Sequence, residues 1–333
     1  MSVIAADPPS PSDAALRLSA VHKNYGRIRA LDGLDLVVPR GSVFGLVGPN
    51  GAGKTTTFSI ACGWLRADRG EVDLLDGGAF DPARHRGRVT ALPQDSALGR
   101  DMTVVDQLTY LGRLQGLDRR AIRGEVARIL DLVQLTDRAG DRVRTLSHGM
   151  LRRVGIGQAF LGDPELVLLD EPTNGLDPRQ AHSIREFVAA QRGTRTIVIS
   201  SHNLHEIETV CDHVALIDRG RVVMAGPISV VTGRDGEIRI MLADGPVPLA
   251  EMRAALPGER AEWDEATRTL TLRFQEKPGR AAEDVTGVAL RALLDAGARI
   301  SSVARGQSLE RRYLDLPAAA VPPSGAEVGA HPA

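Results

Sequence analysis

The sequence predicts an α/β domain that carries an antiparallel β subdomain and a helical insertion, followed by a small α+β domain. Three observations predict it. A short apolar run, VFGLV (Val43 to Val47), leads into GPNGAGKTT (Gly48 to Thr56) and on into TTTFSIACGWL, which reads as a helix. A second apolar run, Leu166 to Leu169, ends in Asp170 and Glu171 and continues as PTNGLDP. The pattern turns helical from Thr103 and returns to strand-like alternation from about Gly233.

Taken in order, residues 1 to 13 are rich in Pro, Ser and Ala and are expected to be disordered. ALRLSAVHKNYG alternates as a strand, and LDLVVP follows as a second after a turn at Asp32-Gly33. Further strands are expected at Val72 to Leu75 and Val89 to Leu92. Thr103 and Asp106 form a capping-box-like start for a helix with apolar Val104, Leu108, Leu111 and Leu114. Ile122, Val126, Ile129 and Val133 mark a second amphipathic helix, so residues from about 98 to 160 form a helical insertion. After Asp177 come a helix, the strand TIVIS, a loop with His202, and strands near 214–217 and 221–224. From 233 to 316, EIRIML, TLTLRF and ARISSVARG read as strands and VTGVALRALLDAG as a helix, with SLERRYLDL closing the unit as a helical turn. Residues 317–333 are Pro/Ala/Gly-rich and read as a solvated, disordered tail.

Gly48, Gly53, Lys54 and Thr55 fit G-x-x-x-x-G-K-[ST]. Glycines let such a loop turn tightly and aim successive backbone N–H groups inward at a helix N-terminus, which makes an anion nest. The lysine then supplies a point charge to the β- and γ-phosphates, and the Thr55 hydroxyl is a ligand for Mg²⁺. A chance glycine-rich turn is the bland alternative; the strand before and helix after argue against it. Asp170, at the carboxyl end of a strand beside such a loop, is placed to hold Mg²⁺ through water. Glu171 next to it can polarise an attacking water as general base. Two acidic residues after a strand are, alone, more often a solvated strand end, but here PTNGLDP follows them. Between the two motifs lies LSHGM (Leu146 to Met150), before an Arg-rich, helix-like run.

Composition bounds the rest. The 333 residues carry a formal net charge of −1, which does not argue for nucleic acid. Cys62 and Cys211 stand far apart with no C-x-x-C pattern, so neither a disulfide framework nor a zinc site is suggested. The N-terminus lacks the layout of a signal peptide, and no apolar run approaches the roughly 20 residues a spanning helix needs.

Residues 16 to about 230 resemble a complete ATP-binding-cassette nucleotide-binding domain, a P-loop NTPase, which places the domain at 14–230. The resemblance implies that ATP and Mg²⁺ are bound, with Gly48, Pro49, Asn50, Gly51, Ala52, Gly53, Lys54, Thr55 and Thr56 cradling the phosphates. It implies that Tyr25 stacks on adenine, a surface strand aromatic remaining the alternative. Gln94 matches the glutamine that joins the catalytic and helical parts and senses Mg²⁺, so the implied metal set is Thr55, Gln94 and Asp170. His202 matches the histidine that holds the γ-phosphate, which makes Glu171, His202 and Lys54 the catalytic group. Ser147 and Gly149 match the signature peptide that reaches the ATP of a partner subunit, and Asp177 matches the aspartate that contacts that subunit. His148 and Met150 depart from the family's commonest LSGGQ, which bears on the ribose contact and the hydrolysis rate. Glu206 reads as a solvated helix residue.

SHGM, Arg152-Arg153 and the accessory domain at 233–316 look similar to single-cassette exporters of drugs and lipids. The resemblance thus implies an ATPase subunit that pairs with an integral-membrane permease and with a second copy of itself, without nucleic acid. It would be cytoplasmic and peripheral on the inner face of the membrane. A soluble cassette ATPase acting on DNA or ribosomes, and an importer cassette, are the alternatives.

Overall fold

Residues 3–4, 13–94, 98–233, 236–274 and 282–314 are described by a computed structural model. They fall into two compact units, one ending at Ile228 and one beginning at Ser229. In chain order the first contains β1 (Val3–Ile4), β2 (Ala14–Tyr25), β3 (Ile28–Pro39), β4 (Val43–Val47), α1 (Lys54–Ala61), β5 (Arg69–Leu74), α2 (Pro82–His85) and β6 (Val89–Leu92). It continues with α3 (Val104–Leu114), α4 (Ala121–Leu132), α5 (His148–Ala159), β7 (Leu166–Asp170), α6 (Pro178–Ala189) and β8 (Thr196–Ser201). α7 (Leu204–Val210), β9 (His213–Asp218) and β10 (Arg221–Pro227) follow, and α8 (Ile228–Thr232) starts at its last residue.

Seven strands form one sheet in the order β1-β10-β9-β4-β8-β7-β6. Every residue of β4, β7 and β8 is buried, which is why these runs read as continuously apolar: a parallel strand covered on both faces has no polar side. A fully buried Val, Leu or Ile contributes about 1.5–3 kcal/mol, so the core fixes where these strands end. Within the stretch expected to be disordered, Val3–Ile4 instead forms β1, parallel to Met224 and Ala225. Apart from β1 and Asp13, that stretch and the 317–333 tail lie outside the described residues.

A second, antiparallel sheet has the order β3-β2-β5. Its hairpin turns at Gly26-Arg27, not at Asp32-Gly33 as the sequence suggested. Gly33 adopts φ 71° inside β3, and the register slips there between Val21↔Leu34 and His22↔Asp32. Asp-Gly marks a bulge here, because a glycine with positive φ serves a bulge as readily as a turn.

The insertion carries α3, α4 and α5 with two short 3-10 turns between the last two. Thr103 caps α3 as expected, accepting from Asp106 N at 3.1 Å. Ile122, Val126, Ile129 and Val133 are all buried, whereas Leu114, expected on the apolar face of α3, is exposed at its end.

The second unit contains β11 (Glu237–Asp244), α9 (Leu249–Ala255), β12 (Arg260–Asp264), β13 (Thr269–Arg273), α10 (Ala282–Asp295), β14 (Arg299–Arg305) and α11 (Leu309–Leu314). Its four-stranded sheet, ordered β12-β13-β11-β14 with antiparallel neighbours, makes this a split β-α-β-β-α-β unit. Ile238, Ile240, Leu270 and Leu272 pack with Met252, Val285, Ala289 and Leu293. α9 and β12 escaped the sequence reading. β12 is an edge strand whose alternation is carried only by Ala261 and Trp263 among charged residues.

Candidate active site

The sheet order assembles the site. β4, β8, β7 and β6 are consecutive, parallel neighbours, with Val47 opposite Ser201, Asp170 opposite Ser200 and Leu92 opposite Leu169. Their carboxyl ends therefore lie side by side along one sheet edge, where open α/β sheets hold ligands. Gly48 follows β4, His202 follows β8, Asp170 ends β7 with Glu171 directly after it, and Gln94 lies two residues past β6. Residues up to 154 positions apart in the chain (202 minus 48) thus become neighbours at the spacing of adjacent strands.

The loop after β4 is shaped for close approach. A Cβ on Gly48 would lie 2.2 Å from Ile217 O, so no other residue fits. α1 begins at Lys54 behind Gly53, whose φ of 109° is left-handed and which provides no side-chain cap. The first-turn N–H groups of α1 are thus not claimed by a cap and form, with the loop, a site for an anion. Lys54 is buried, and its Nζ donates to Gly48 O at 2.7 Å and Pro49 O at 3.2 Å. Burial lowers its pKa below the ordinary lysine value, while the charges of Glu171 and Asp170 oppose that. Ala52 is buried; Pro49, Asn50, Gly51 and Thr55 are exposed, and Thr56 is half-buried.

Across the edge, Asp170 is buried, and its Oδ1 accepts from Ser200 Oγ. Ser200 Oγ in turn accepts from Glu171 N at 2.9 Å. Glu171 adopts φ 50°, a left-handed conformation that costs a non-glycine residue about 1–3 kcal/mol and persists only where its surroundings impose it. Its carboxylate meets His202 Nδ1, at 2.8 Å from Oε2 and 3.1 Å from Oε1. An ionised carboxylate only accepts, so Nδ1 carries the proton in this pair. The oxygen donors Thr55 and Asp170, with the Gln94 amide, suit a hard cation such as Mg²⁺, and the loop N–H groups with Lys54 suit the phosphates it accompanies.

The remaining candidates sit elsewhere. Tyr25 projects from the end of β2 at the hairpin turn, half exposed. Ser147 is the N-cap of α5, accepting from Met150 N at 3.3 Å, and Gly149 lies in the first turn of that helix. This peptide packs on the turn before α6: a Cβ on Gly175 would come within 2.9 Å of the His148 ring. Asp177 caps α6, accepting from the N–H groups of Arg179 and Gln180 at 3.0 Å. Among the described residues, no hydrogen bond joins Ser147 or Asp177 to the 48–56 loop.

Two residues of the site were not found by sequence reasoning. Glu206 is buried, not solvated: it accepts from Thr173 Oγ1 at 2.6 Å and Ser201 Oγ at 3.1 Å. Asn203, three residues before it, caps α7 and makes the pattern look like an exposed capping box. Arg152, noted only as half of an Arg doublet, is buried on α5 and reaches the carbonyls of both acidic strand end and Gln94 loop.

Comparison with known proteins places the chain among relatives of one family. Residues 31–174 match the protein family described as ABC transporter. The chain is 36% identical over 262 residues to the Nod factor export ATP-binding protein I of Ralstonia nicotianae, covering 77% of this chain and 81% of that protein. It is 35% identical over 225 residues to the linearmycin resistance ATP-binding protein of Bacillus subtilis, covering 66% and 72%. Among solved structures it resembles an ATP-binding subunit of an ABC transporter, with TM-score 0.60 and 27% identity over 65% of this chain and 91% of that one. An ATP-binding cassette in its ADP conformation gives TM-score 0.57 and 25% identity, covering 64% and 91%.

Proposed function

The chain belongs to the ABC transporter ATP-binding family, and from that premise we propose that it is the ATP-hydrolysing subunit of an exporter. The relatives named for Nod factor export and linearmycin resistance support export over import, and over a role on DNA or ribosomes. We take the cargo to be a hydrophobic drug, an antibiotic or a lipid, carried by a separate integral-membrane permease on whose cytoplasmic face two copies of this chain sit. Among the described residues, no helix is long and apolar enough to cross a membrane.

The observation that carries the catalytic reading is the Glu171–His202 contact at 2.8 Å beside buried Lys54. The N–H groups of the 48–56 loop bind the phosphates, and the Lys54 ammonium redirects its N–H donors from Gly48 O and Pro49 O to them. Mg²⁺ would be held by Thr55, Gln94 and Asp170, and when bound it neutralises phosphate charge. Glu171 takes the proton of the attacking water on its carboxylate. His202 Nδ1, donating to that carboxylate at 2.8 Å, holds it in orientation until then. Tyr25 offers its exposed ring to adenine. In a head-to-tail pair, Ser147 and Gly149 of one copy close over the nucleotide of the other, with Asp177 at the seam. Their added donors stabilise the charge that spreads over the transferring phosphoryl group.

The test is Glu171→Gln. It should bind ATP with unchanged affinity, lose a factor of about 10² or more in hydrolysis, and accumulate an ATP-dependent dimer on size exclusion. A variant hydrolysing at the wild-type rate would remove Glu171 from its role. Co-purification from detergent-solubilised membranes tests the partner: sedimentation with ribosomes or DNA in place of a permease would overturn the transporter reading.

A further inference from the structure

α5 carries two consecutive buried arginines, Arg152 and Arg153. Arg153 turns toward the insertion, where its Nη1 donates to Val133 O at 2.8 Å and Gln134 O at 3.1 Å. Arg152 turns the other way. Its Nη2 donates to Asp170 O at 2.6 Å and Glu171 O at 2.7 Å, and its Nε to Pro172 O at 3.2 Å. Its Nη1 donates to Pro93 O at 3.1 Å and Gln94 O at 2.9 Å. A guanidinium has five N–H donors in a rigid, planar fork, and the bonds named here reach five different main-chain carbonyls.

Three of those carbonyls are consecutive and centred on Glu171, the residue held at φ 50°. Converging three carbonyl oxygens on one point is unfavourable by itself, since their dipoles repel. The guanidinium reverses that repulsion, and so imposes the turn that a left-handed residue needs. The other two carbonyls belong to the Gln94 loop on the neighbouring strand. The side chain originates only five residues past Ser147, on the helix that Ser147 caps. One rigid cation therefore fixes three pieces of main chain that the sequence places far apart.

We propose that Arg152 is a positioning residue: it sets the backbone of Glu171 and makes that setting depend on where the Gln94 loop and α5 stand. A shift of the Gln94 loop or of α5 pulls on the same guanidinium that holds carbonyls 170–172, and so moves the base out of line with its water. Hydrolysis is thereby linked to the closed arrangement of the insertion without any contact between Arg152 and nucleotide. The proposal rests on Glu171 acting as base, but the grip itself is separately measurable.

Arg152→Lys keeps the positive charge with only three donors on a point-like head, so at least two of the five carbonyls are released. In the full-length protein, Arg152→Lys should lower kcat tenfold or more while changing KM and the affinity for a fluorescent ATP analogue by less than threefold. Arg153→Lys, equally buried on the same helix but hydrogen-bonded to Val133 and Gln134, should leave kcat within twofold. Combined with Glu171→Gln, Arg152→Lys should add nothing to the loss, because it acts through the residue already disabled. Hydrogen–deuterium exchange should rise in peptides carrying both Pro93-Gln94 and Asp170–Asn174, whatever the role of Glu171. A kcat within twofold of wild type, or losses that multiply in the double variant, overturns the positioning role. Unchanged exchange in either peptide overturns the grip. Normal hydrolysis by Glu171→Gln alone, with raised exchange in Arg152→Lys, locates the failure in the base assignment.

Discussion

Glu206→Ala is expected to destabilise the first unit by about 2–4 kcal/mol and to slow hydrolysis without weakening ATP binding. The carboxylate accepts from Thr173 Oγ1 at 2.6 Å and from Ser201 Oγ at 3.1 Å, and the residue is only 8% exposed. Each hydrogen bond to a charged group contributes about 1.5–3 kcal/mol net, and a buried donor left without an acceptor costs about 1–3. Part of this is recovered, because half-buried Thr173 can turn its hydroxyl toward water and Ser201 Oγ still accepts from Asn203 N at 3.0 Å. Arg185, at 3.9 Å and about a third exposed, adds little. Glu206→Gln keeps the shape and one acceptor but turns an amide N–H₂ toward the other hydroxyl, which costs about 1 kcal/mol. In a domain of this size 1 kcal/mol corresponds to about 2–4 °C in Tm, so alanine should lower the calorimetric transition by about 4–16 °C and glutamine by about 2–4 °C. The kinetic effect follows from position. Ser201 precedes His202 and Thr173 lies two residues past Glu171, so Glu206 ties together the loops that bring His202 and Glu171 into contact. An alanine variant melting within 1 °C of wild type with unchanged kcat would show that this buried carboxylate ties nothing.

Lys54→Ala should abolish nucleotide binding in its own chain, whereas Ser147→Ala should bind ATP but fail to close. Mixed dimers should recover activity above either homodimer, because both defects then fall in one site; no recovery would exclude a nucleotide shared between copies. Burial pushes the Cys62 thiol up to about 12 and raises Cys211 well above its ordinary value. Both thiols therefore stay protonated at pH 8, and maleimide should label the native chain at least tenfold more slowly than the urea-unfolded chain; equal rates would show the two are not buried.

The strand ends of the site were legible because each is announced by a buried apolar run giving way to a glycine or a polar residue: Val47 before Gly48, Leu169 before Asp170, the TIVIS strand before His202. A parallel strand buried on both faces has to look this way, and the sheet order then fixes which ends are adjacent. The Asp32-Gly33 bulge was misread for the complementary reason. Positive φ is what the dipeptide encodes, and whether the chain reverses there or only slips register depends on the strand beside it. β12 was missed because an edge strand buries few side chains, and in RAEWD only Ala261 and Trp263 show any alternation.

Glu206 and Arg152 expose a different blind spot. A charged side chain on a helix is ordinarily assigned to solvent, and that assignment is sound when its partners would have to be other charged side chains visible in the sequence. Here the hydrogen bonds named above run to two hydroxyls in one case and to five carbonyls in the other. Carbonyls belong to every residue, so no spacing or pattern advertises them. What does leave a trace is the cost on the other side: Glu171 at φ 50° is a non-glycine residue in a conformation that relaxes unless something forces it. The chain could have used glycine there, but glycine has no carboxylate. On the proposed mechanism the chemistry demands the side chain while the strand end demands the turn, so the constraint comes from elsewhere in the fold. Arg152 and Arg153 share a helix, a residue type and a depth of burial, and only one of them meets that demand; the difference lies in the 100° between successive side chains on a helix.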